Sequence, residues 1–209
     1  MRILLVDDHA VVREGLKRVL AGIGGTLDVG EAPDVPKALE LARSGDWDCA
    51  LVDIVLPGQT GLELVKELHR LQPRLPILVL SMFPEEQYAV RMLRAGASGY
   101  LNKESAPEQL IAAIRIVLNG GKYVSPRLAS QIATDLTSTS SRSRHEELSD
   151  REFTVLRMMA AGMTGKDIAR KISISNKTVS TYRTRILKKL HLRNNAQLVA
   201  YAVKNNLLQ

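Results

Sequence analysis

Over its first 120 residues the chain repeats one pattern, a short apolar run, a polar residue or two, then an amphipathic segment. Ile3 to Val6 precedes Val11 to Leu20, and Cys49 to Ile54 precedes Leu62 to Leu71. Ile77 to Leu80 precedes Glu85 to Ala95, and Gly99 to Leu101 precedes Pro107 to Leu118. A weaker run near Leu27 to Gly30 is followed by a segment near Val35 to Ala42. Strands that are apolar throughout must be covered on both faces, and an intervening helix lets each strand return parallel to the last. The pattern therefore predicts an α/β fold, a five-stranded doubly wound parallel sheet of the flavodoxin type.

The rest of the chain reads differently. Asn119-Gly120-Gly121 ends the last amphipathic segment with residues that stop a helix, so the first domain is expected over residues 1–122. Residues 123–146 are expected to be a linker holding a short helix near Pro126 to Leu136. Within it Thr137 to Arg144, TSTSSRSR, has no apolar residue to repay its ordering entropy and reads as flexible. Residues 147–209 are helical in period throughout, a second, small all-α domain. Charge divides at the same place. Residues 1–124 hold 14 Lys and Arg against 16 Asp and Glu, whereas residues 145–209 hold 12 against 5. The whole positive excess lies in the last 85 residues, which points to a polyanion as partner of the tail, nucleic acid first. No stretch approaches the roughly 20 apolar residues of a membrane helix, and MRILLVDD turns acidic before a signal-peptide core could form. The expected location is the cytoplasm, with no membrane partner. The single cysteine, Cys49, sits in an apolar run and reads as a buried thiol.

In an open parallel sheet ligands bind at the carboxyl ends of the strands, where the strand order reverses. There the sequence puts Asp7 and Asp8 after the first strand, Asp53 after the third, Ser81 after the fourth and Lys103 after the fifth. A lone aspartate after a strand is ordinarily a turn or cap residue, and Asp8 could cap the next helix. Placement on four different strand ends is what favours a site. Three adjacent carboxylates repel one another unless a cation sits among them, and Mg2+ takes carboxylate oxygens and leaves positions for phosphate. One carboxylate can then act as nucleophile on phosphorus. Lys103 would offset charge on the phosphoryl oxygens, and Ser81 could donate to the product.

These residues resemble the receiver domain of two-component response regulators, through LLVDDH (Leu4 to His9), LVDIVLPGQTG (Leu51 to Gly61), LVLS (Leu78 to Ser81) and AGASGYLNK (Ala95 to Lys103). The resemblance covers about residues 1 to 122. It implies Asp53 as phosphoacceptor and Lys103 as its phosphate contact. It also implies Asp8, Asp53 and the Val55 carbonyl as Mg2+ ligands, with Asp7 acting through water. Ser81 and Tyr100 match the switch pair, in which an inward Ser81 vacates space for the Tyr100 ring; taken alone, Tyr100 reads as a half-buried strand aromatic. Glu104 stands where many receivers have proline.

In the tail, Ser149 and Glu152 form a capping box ahead of a helix carrying Phe153, Val155, Leu156, Met159 and Ala160. A short helix at Gly165 to Lys171, the turn Ser173-Ile174-Ser175 and a helix from Asn176 to about Leu190 make a helix-turn-helix, whose second helix enters the major groove. On that helix Val179, Tyr182, Ile186 and Leu190 share the buried stripe, and Lys177, Ser180, Thr181, Thr184 and Lys188 share the opposite face. Ser180, Thr181 and Thr184 are short enough to meet base edges, while Lys177, Arg185, Lys188 and Lys189 reach phosphates. Leu148 to Leu208 resembles the LuxR-type helix-turn-helix through LSDREFTVL, AAGMTGKDIA, ISNKTVSTYRTRILKKL and NNLL, and with the receiver the chain is similar to the NarL/FixJ family. The TVSTYRTR stretch resembles BvgA-like regulators. A last helix at Asn195 to Lys204, with Leu198, Val199 and Tyr201, either pairs two copies about a twofold axis, as in the family, or packs within its own domain.

The resemblance implies a DNA-binding transcriptional regulator that a histidine kinase phosphorylates on Asp53, favouring a homodimer on paired half-sites of double-stranded DNA. Such a chain catalyses its own phosphoryl uptake and slow loss and is no enzyme on a metabolite. A magnesium-dependent phosphatase with an aspartate nucleophile needs a second acid two residues on, where this chain has Val55. A phosphorylation-independent DNA-binding protein with a vestigial receiver is the third reading.

Overall fold

The alternation of apolar runs and amphipathic segments folds into five strands and five helices. In the computed structural model these are β1 (Arg2–Val6), α1 (Ala10–Ala21), β2 (Asp28–Ala32), α2 (Val35–Ser44), β3 (Cys49–Asp53), α3 (Gly61–Leu71), β4 (Ile77–Ser81), α4 (Glu85–Arg94), β5 (Gly99–Asn102) and α5 (Pro107–Leu118). The structure describes residues 1–137, 144–205 and 207. The chain forms two compact units, divided between Ser138 and Thr139.

All strands pair in parallel, in the order β2-β1-β3-β4-β5. Successive side chains point to opposite faces, so Ile3, Leu5, Cys49, Leu51, Leu78, Leu80 and Leu101 form one core with Leu20 of α1 and Leu110, Ala113, Ile114 and Val117 of α5. Leu4, Val6, Ala50, Val52 and Val79 are equally buried, because α2, α3 and α4 cover the opposite face. The weak run in the sequence is the edge strand β2, paired with β1 and half-buried over most of its length. Burial on one side needs fewer apolar residues, which explains the faint signal.

The order reverses between β1 and β3, so Asp7 and Asp53 end neighbouring strands. The loop after Asp53 is closed by the Gly61 N–H donating to the Ile54 carbonyl at 2.8 Å. Thr60 then starts α3 with a reciprocal capping box to Glu63. A Cβ on Gly61 would lie 2.0 Å from the Asp53 carbonyl oxygen and 2.7 Å from the Ile54 Cα. Backbone, not a movable side chain, forbids it.

The first unit continues past residue 122. The Tyr123 N–H donates to the Ser98 carbonyl at 2.9 Å, and the Tyr100 N–H donates to the Tyr123 carbonyl at 3.0 Å. Helix α6 (Pro126–Thr137) follows and packs on α4, with Leu128 fully buried. Residues 123–137, expected as linker, are thus docked on this unit, because Leu128 supplies an apolar anchor. Of the stretch TSTSSRSR, residues 138–143 lie outside the described residues.

Among its described residues the second unit holds a 3-10 turn (Arg144–Glu147) and helices α7 (Asp150–Ala160), α8 (Gly165–Lys171), α9 (Asn176–Lys189) and α10 (Asn195–Lys204). Ser149 and Glu152 make the expected capping box, and Ser175 caps α9 by accepting the Thr178 N–H at 3.0 Å. Phe153, Leu156, Ile168, Val179, Ile186, Leu190, Leu198 and Ala202 fill the core. On α7 Met158 is buried and Met159 only half-buried, a one-residue shift from the expected face. No described helix is long and apolar enough to cross a membrane.

Replacing Gly61 by alanine is expected to destabilise the first unit by about 2 kcal/mol or more, as overpacking against fixed backbone does. Urea denaturation of the variant against the parent checks this; an unchanged midpoint would mean that the β3–α3 junction yields.

Candidate functional site

β1, β3 and β5 each end in a charged group that the sheet brings to one crevice. Asp7 and Asp53 are almost wholly buried. Between them stands Lys103, whose Nζ donates to Asp7 Oδ2 at 2.5 Å and lies 2.7 Å from Asp53 Oδ2. Asp7 uses its other oxygen to accept the His9 N–H at 2.8 Å. His9, not Asp8, is the N-cap of α1, and no side chain caps that helix. Asp8 is therefore free of the capping role and faces the His9 ring, with Oδ1 2.7 Å from Nδ1. Ligand atoms of Asp7, Asp8, His9 and Asp53 all lie within 4.8 Å of one another. His9 was not singled out in the sequence, although it directly follows the acidic pair.

One ammonium shared by two carboxylates leaves the acids under-compensated and the cation over-compensated. Burial pushes the Asp53 carboxyl above the usual carboxylate range, the Asp7 charge adds to this, and Lys103 and the Val55 N–H only partly oppose it. Burial works against the charge on Lys103, but Asp53 and Asp7 outweigh it and hold its pKa above the ordinary lysine value. The carboxylate oxygens of Asp7, Asp8 and Asp53 fit a hard divalent cation, which would relieve the excess negative charge.

Ser81 closes the wall of the crevice, buried, with its Oγ accepting the Phe83 N–H at 3.0 Å. Tyr100 is not half-buried: its ring is fully enclosed and its hydroxyl donates to the Phe83 carbonyl at 2.7 Å. The ring thus occupies the interior while Ser81 holds Phe83. Phe83 links the two residues through its backbone, a role with no side-chain signature in a sequence. The Lys103–Glu104 peptide is trans, no cis bond being present among the described residues.

In the second unit Lys177, Ser180, Thr181, Thr184, Arg185 and Lys188 are all exposed on α9, while Val179 and Ile186 are buried and Tyr182 is half-buried. The three hydroxyls donate to the carbonyls four residues back, Ser180 to Asn176 at 3.1 Å, Thr181 to Lys177 at 3.0 Å and Thr184 to Ser180 at 3.1 Å. Their protons are committed, so they present oxygen lone pairs and the threonine methyls outward. Lys189, the remaining residue of the expected phosphate set, is paired within its own unit. Its Nζ donates to Glu152 Oε2 at 2.6 Å and to the Glu147 carbonyl at 3.2 Å, tying the end of α9 to the start of α7. Glu152 is buried, and although burial opposes its charge, Lys189 and Ser149 hold its carboxyl below the ordinary range. On α10 Leu198 is buried, Val199 and Val203 are exposed, and the Tyr201 hydroxyl meets His145 Nδ1 at 3.2 Å.

Residues 3–115 match the family described as the response regulator receiver domain, and residues 146–202 match bacterial regulatory proteins of the luxR family. The chain belongs to the response regulators. Among its relatives are response regulator GacA of Pseudomonas aeruginosa and response regulator UvrY of Escherichia coli K12. GacA is 36% identical, over 100% of this chain and 98% of that one, and UvrY 33% identical, over 99% and 95%. A LuxR-family two-component response regulator from Aurantimonas covers 66% of this regulator and 98% of its own chain at 36% identity, with a TM-score of 0.60. The RcsB–DNA complex covers 97% of this regulator and 98% of its own chain at 26% identity, with a TM-score of 0.59. This regulator is accordingly of the NarL/FixJ type, a transcription regulator with a receiver and a helix-turn-helix domain.

A carboxyl whose folded pKa lies above its unfolded one weakens the fold when ionised, and that cost disappears as the pH falls through the folded value. In metal-free protein Asp53→Asn is therefore expected to raise stability at neutral pH, Asp7 still holding Lys103, with the advantage shrinking as the pH drops. Urea midpoints of both proteins in chelator across the acid range check the sign; a less stable variant at neutral pH would show that the Lys103 attraction outweighs burial.

Proposed function

We propose that this regulator takes a phosphoryl group from a sensor histidine kinase onto Asp53, in the cytoplasm, and thereby gains affinity for double-stranded DNA as a homodimer. The observation that carries the reading is the Asp53 carboxylate, buried at a strand end with Lys103 Nζ 2.7 Å away and Asp7 and Asp8 in the same pocket. An Asp53 oxygen forms the bond to phosphorus as the P–N bond to the donor imidazole breaks in line. Lys103, already 2.7 Å from the nucleophile, then pairs with a phosphoryl oxygen. Asp8, Asp53 and the Val55 carbonyl would hold Mg2+, with Asp7 acting through water. The ion, when bound, offsets charge on the phosphoryl oxygens.

Ser81 and Tyr100 remain the switch pair in altered form. With the ring already inside, the group that must move is Ser81 Oγ, which leaves the Phe83 N–H to meet a phosphoryl oxygen. The chain is thus a regulator that catalyses its own phosphorylation and slow hydrolysis, not an enzyme on a metabolite.

The exposed face of α9 supports the DNA reading. Lone pairs on Ser180, Thr181 and Thr184 accept from base amino groups, the threonine methyls suit thymine, and Lys177, Arg185 and Lys188 neutralise phosphates. The likeness to RcsB, which has been solved with DNA, supports the same use of the second unit. Exposed Val199 and Val203 on α10 favour pairing of two copies, which would set two recognition helices on paired half-sites.

Incubation with a small phosphodonor and Mg2+ is expected to label the parent stably and leave Asp53→Asn unlabelled. Rapid turnover of many phosphoesters would favour the phosphatase reading, and absence of label the vestigial receiver. In DNA binding, Lys188→Ala should lower the salt slope by about one and weaken all sequences alike, whereas Thr181→Ala relaxes sequence preference. Lys189→Met should leave the slope unchanged and lower thermal stability instead; a slope change equal to that of Lys188→Ala would return Lys189 to the phosphate-contacting set.

A further inference from the structure

A side chain from outside the acidic pocket holds the backbone that carries two of its carboxylates. Arg13 stands in the first turn of α1, its N–H donating to the His9 carbonyl at 3.1 Å. Its guanidinium donates through Nη1 to the Asp7 carbonyl at 2.7 Å and through Nε to Glu31 Oε2 at 2.8 Å. Glu31 lies on the edge strand β2, and its other oxygen accepts from Lys17 Nζ at 2.6 Å. Lys17 also pairs with Glu14, at 2.5 Å. Only 15% of the Arg13 side chain is exposed, so the guanidinium is gripped from two sides rather than swinging in water.

The carbonyl that Arg13 holds belongs to the peptide group joining Asp7 to Asp8. β1 ends at Val6, and the Asp7 N–H still donates to the Ala32 carbonyl of β2 at 3.1 Å. With that N–H tied to β2 and the carbonyl tied to Arg13, the direction in which the chain leaves the strand is fixed. A peptide group is planar, so fixing its oxygen sets the turn from Asp7 into Asp8, and with it the relative aim of the two carboxylates. Charge gives Arg13 little other part to play. Arg13 and Lys17 are matched by Glu14 and Glu31, so the group adds little net field to the pocket beside it. What remains is geometry, and the planar fork of a guanidinium holds two acceptors at once, as a lysine does not.

We propose that Arg13 is a positioning residue for the cation pocket: braced by Glu31, it pins the Asp7–Asp8 peptide so that both carboxylates meet a divalent cation in one geometry. Groups that orient the direct ligands of a metal set its affinity by about 10- to 100-fold. The inference rests on the reading of Asp7, Asp8 and Asp53 as the Mg2+ pocket. It adds a residue that touches neither ion nor phosphate and yet governs how tightly the ion is held. The expected effect is opposite in sign to that of charge. Removing a cation from beside a cation site tightens the site if charge alone acts; removing this one loosens it.

Mg2+ titrations of the full chain, followed by amide NMR with no phosphodonor present, read the affinity directly. Arg13→Met is expected to weaken Mg2+ binding about tenfold and to move the Asp8 amide signal before any ion is added. Arg13→Lys keeps the charge, loses the two-point grip and should weaken binding in the same direction. Lys17→Met removes an equal charge from the same group but leaves the Asp7 carbonyl held, so its affinity should match or exceed the parent's. With acetyl phosphate, the Arg13 variants should label slowly at limiting Mg2+ and at the parent's rate once Mg2+ saturates. Three results would each overturn the positioning role: Mg2+ held by Arg13→Met as tightly as by the parent, an equal loss in Lys17→Met, or a labelling rate that saturating Mg2+ does not restore. Should Arg13→Met fail to fold, Arg13→Lys decides by the same measures. A parent that binds no Mg2+, or an Asp8→Asn variant that binds it undiminished, would overturn the pocket reading itself, and the role of Arg13 with it.

Discussion

The ammonium of Lys103 lying between Asp7 and Asp53 is the interaction on which the first unit depends. It joins the carboxyl ends of three strands, β1, β3 and β5, which have no other reason to present charges to one crevice. Parallel pairing fixes those ends in register, and the central strands are buried on both faces, so the charges have nowhere else to go. The arrangement is deliberately unbalanced in charge. Two buried carboxylates against one ammonium, with Asp8 at the rim, leave a pocket that gains from an added cation. The same imbalance makes the metal-free protein carry a cost at Asp53, and perturbed groups of this kind are commonly found at functional sites.

Around that pocket the backbone of Phe83 does what no single side chain could. It is bound to Ser81 through its N–H and to Tyr100 through its carbonyl, so two side chains from neighbouring strands are coupled through one residue of the loop between β4 and α4. Residues 123–137 dock beside them, Tyr123 pairing with β5 and Leu128 buried where α6 packs on α4.

The second unit solves a different problem, holding a cationic helix against a small core while keeping one face open. Its answer is the Lys189–Glu152 pair, in which one basic residue of α9 fastens the helix while Lys177, Arg185 and Lys188 remain exposed. Ser149 serves the same carboxylate as a cap, so a single buried acid both starts α7 and anchors the end of α9.

Much of this was legible in order along the chain. The five apolar runs, the polar residues that end them and the capping pair Ser149–Glu152 are local patterns, and local patterns survive translation into strands, helices and turns. So the strands and the helix-turn-helix could be read from residues close in sequence, and the acidic cluster from the rule that a parallel sheet gathers the residues ending its strands. Three things could not. The inward turn of Lys189 depends on a carboxylate 37 residues away, and a helical wheel shows only which face a lysine stands on, not what stands opposite. The burial of Tyr100 depends on Phe83 reaching its hydroxyl from a loop, and a strand position alone does not distinguish a half-covered ring from an enclosed one. The docking of residues 123–137 depends on one apolar anchor, Leu128, meeting a surface made by α4. Sequence determined which elements form, because their periods and caps are short-range; only the tertiary structure decided which charges and rings face each other, because those pairings are made across elements by the packing of the whole sheet.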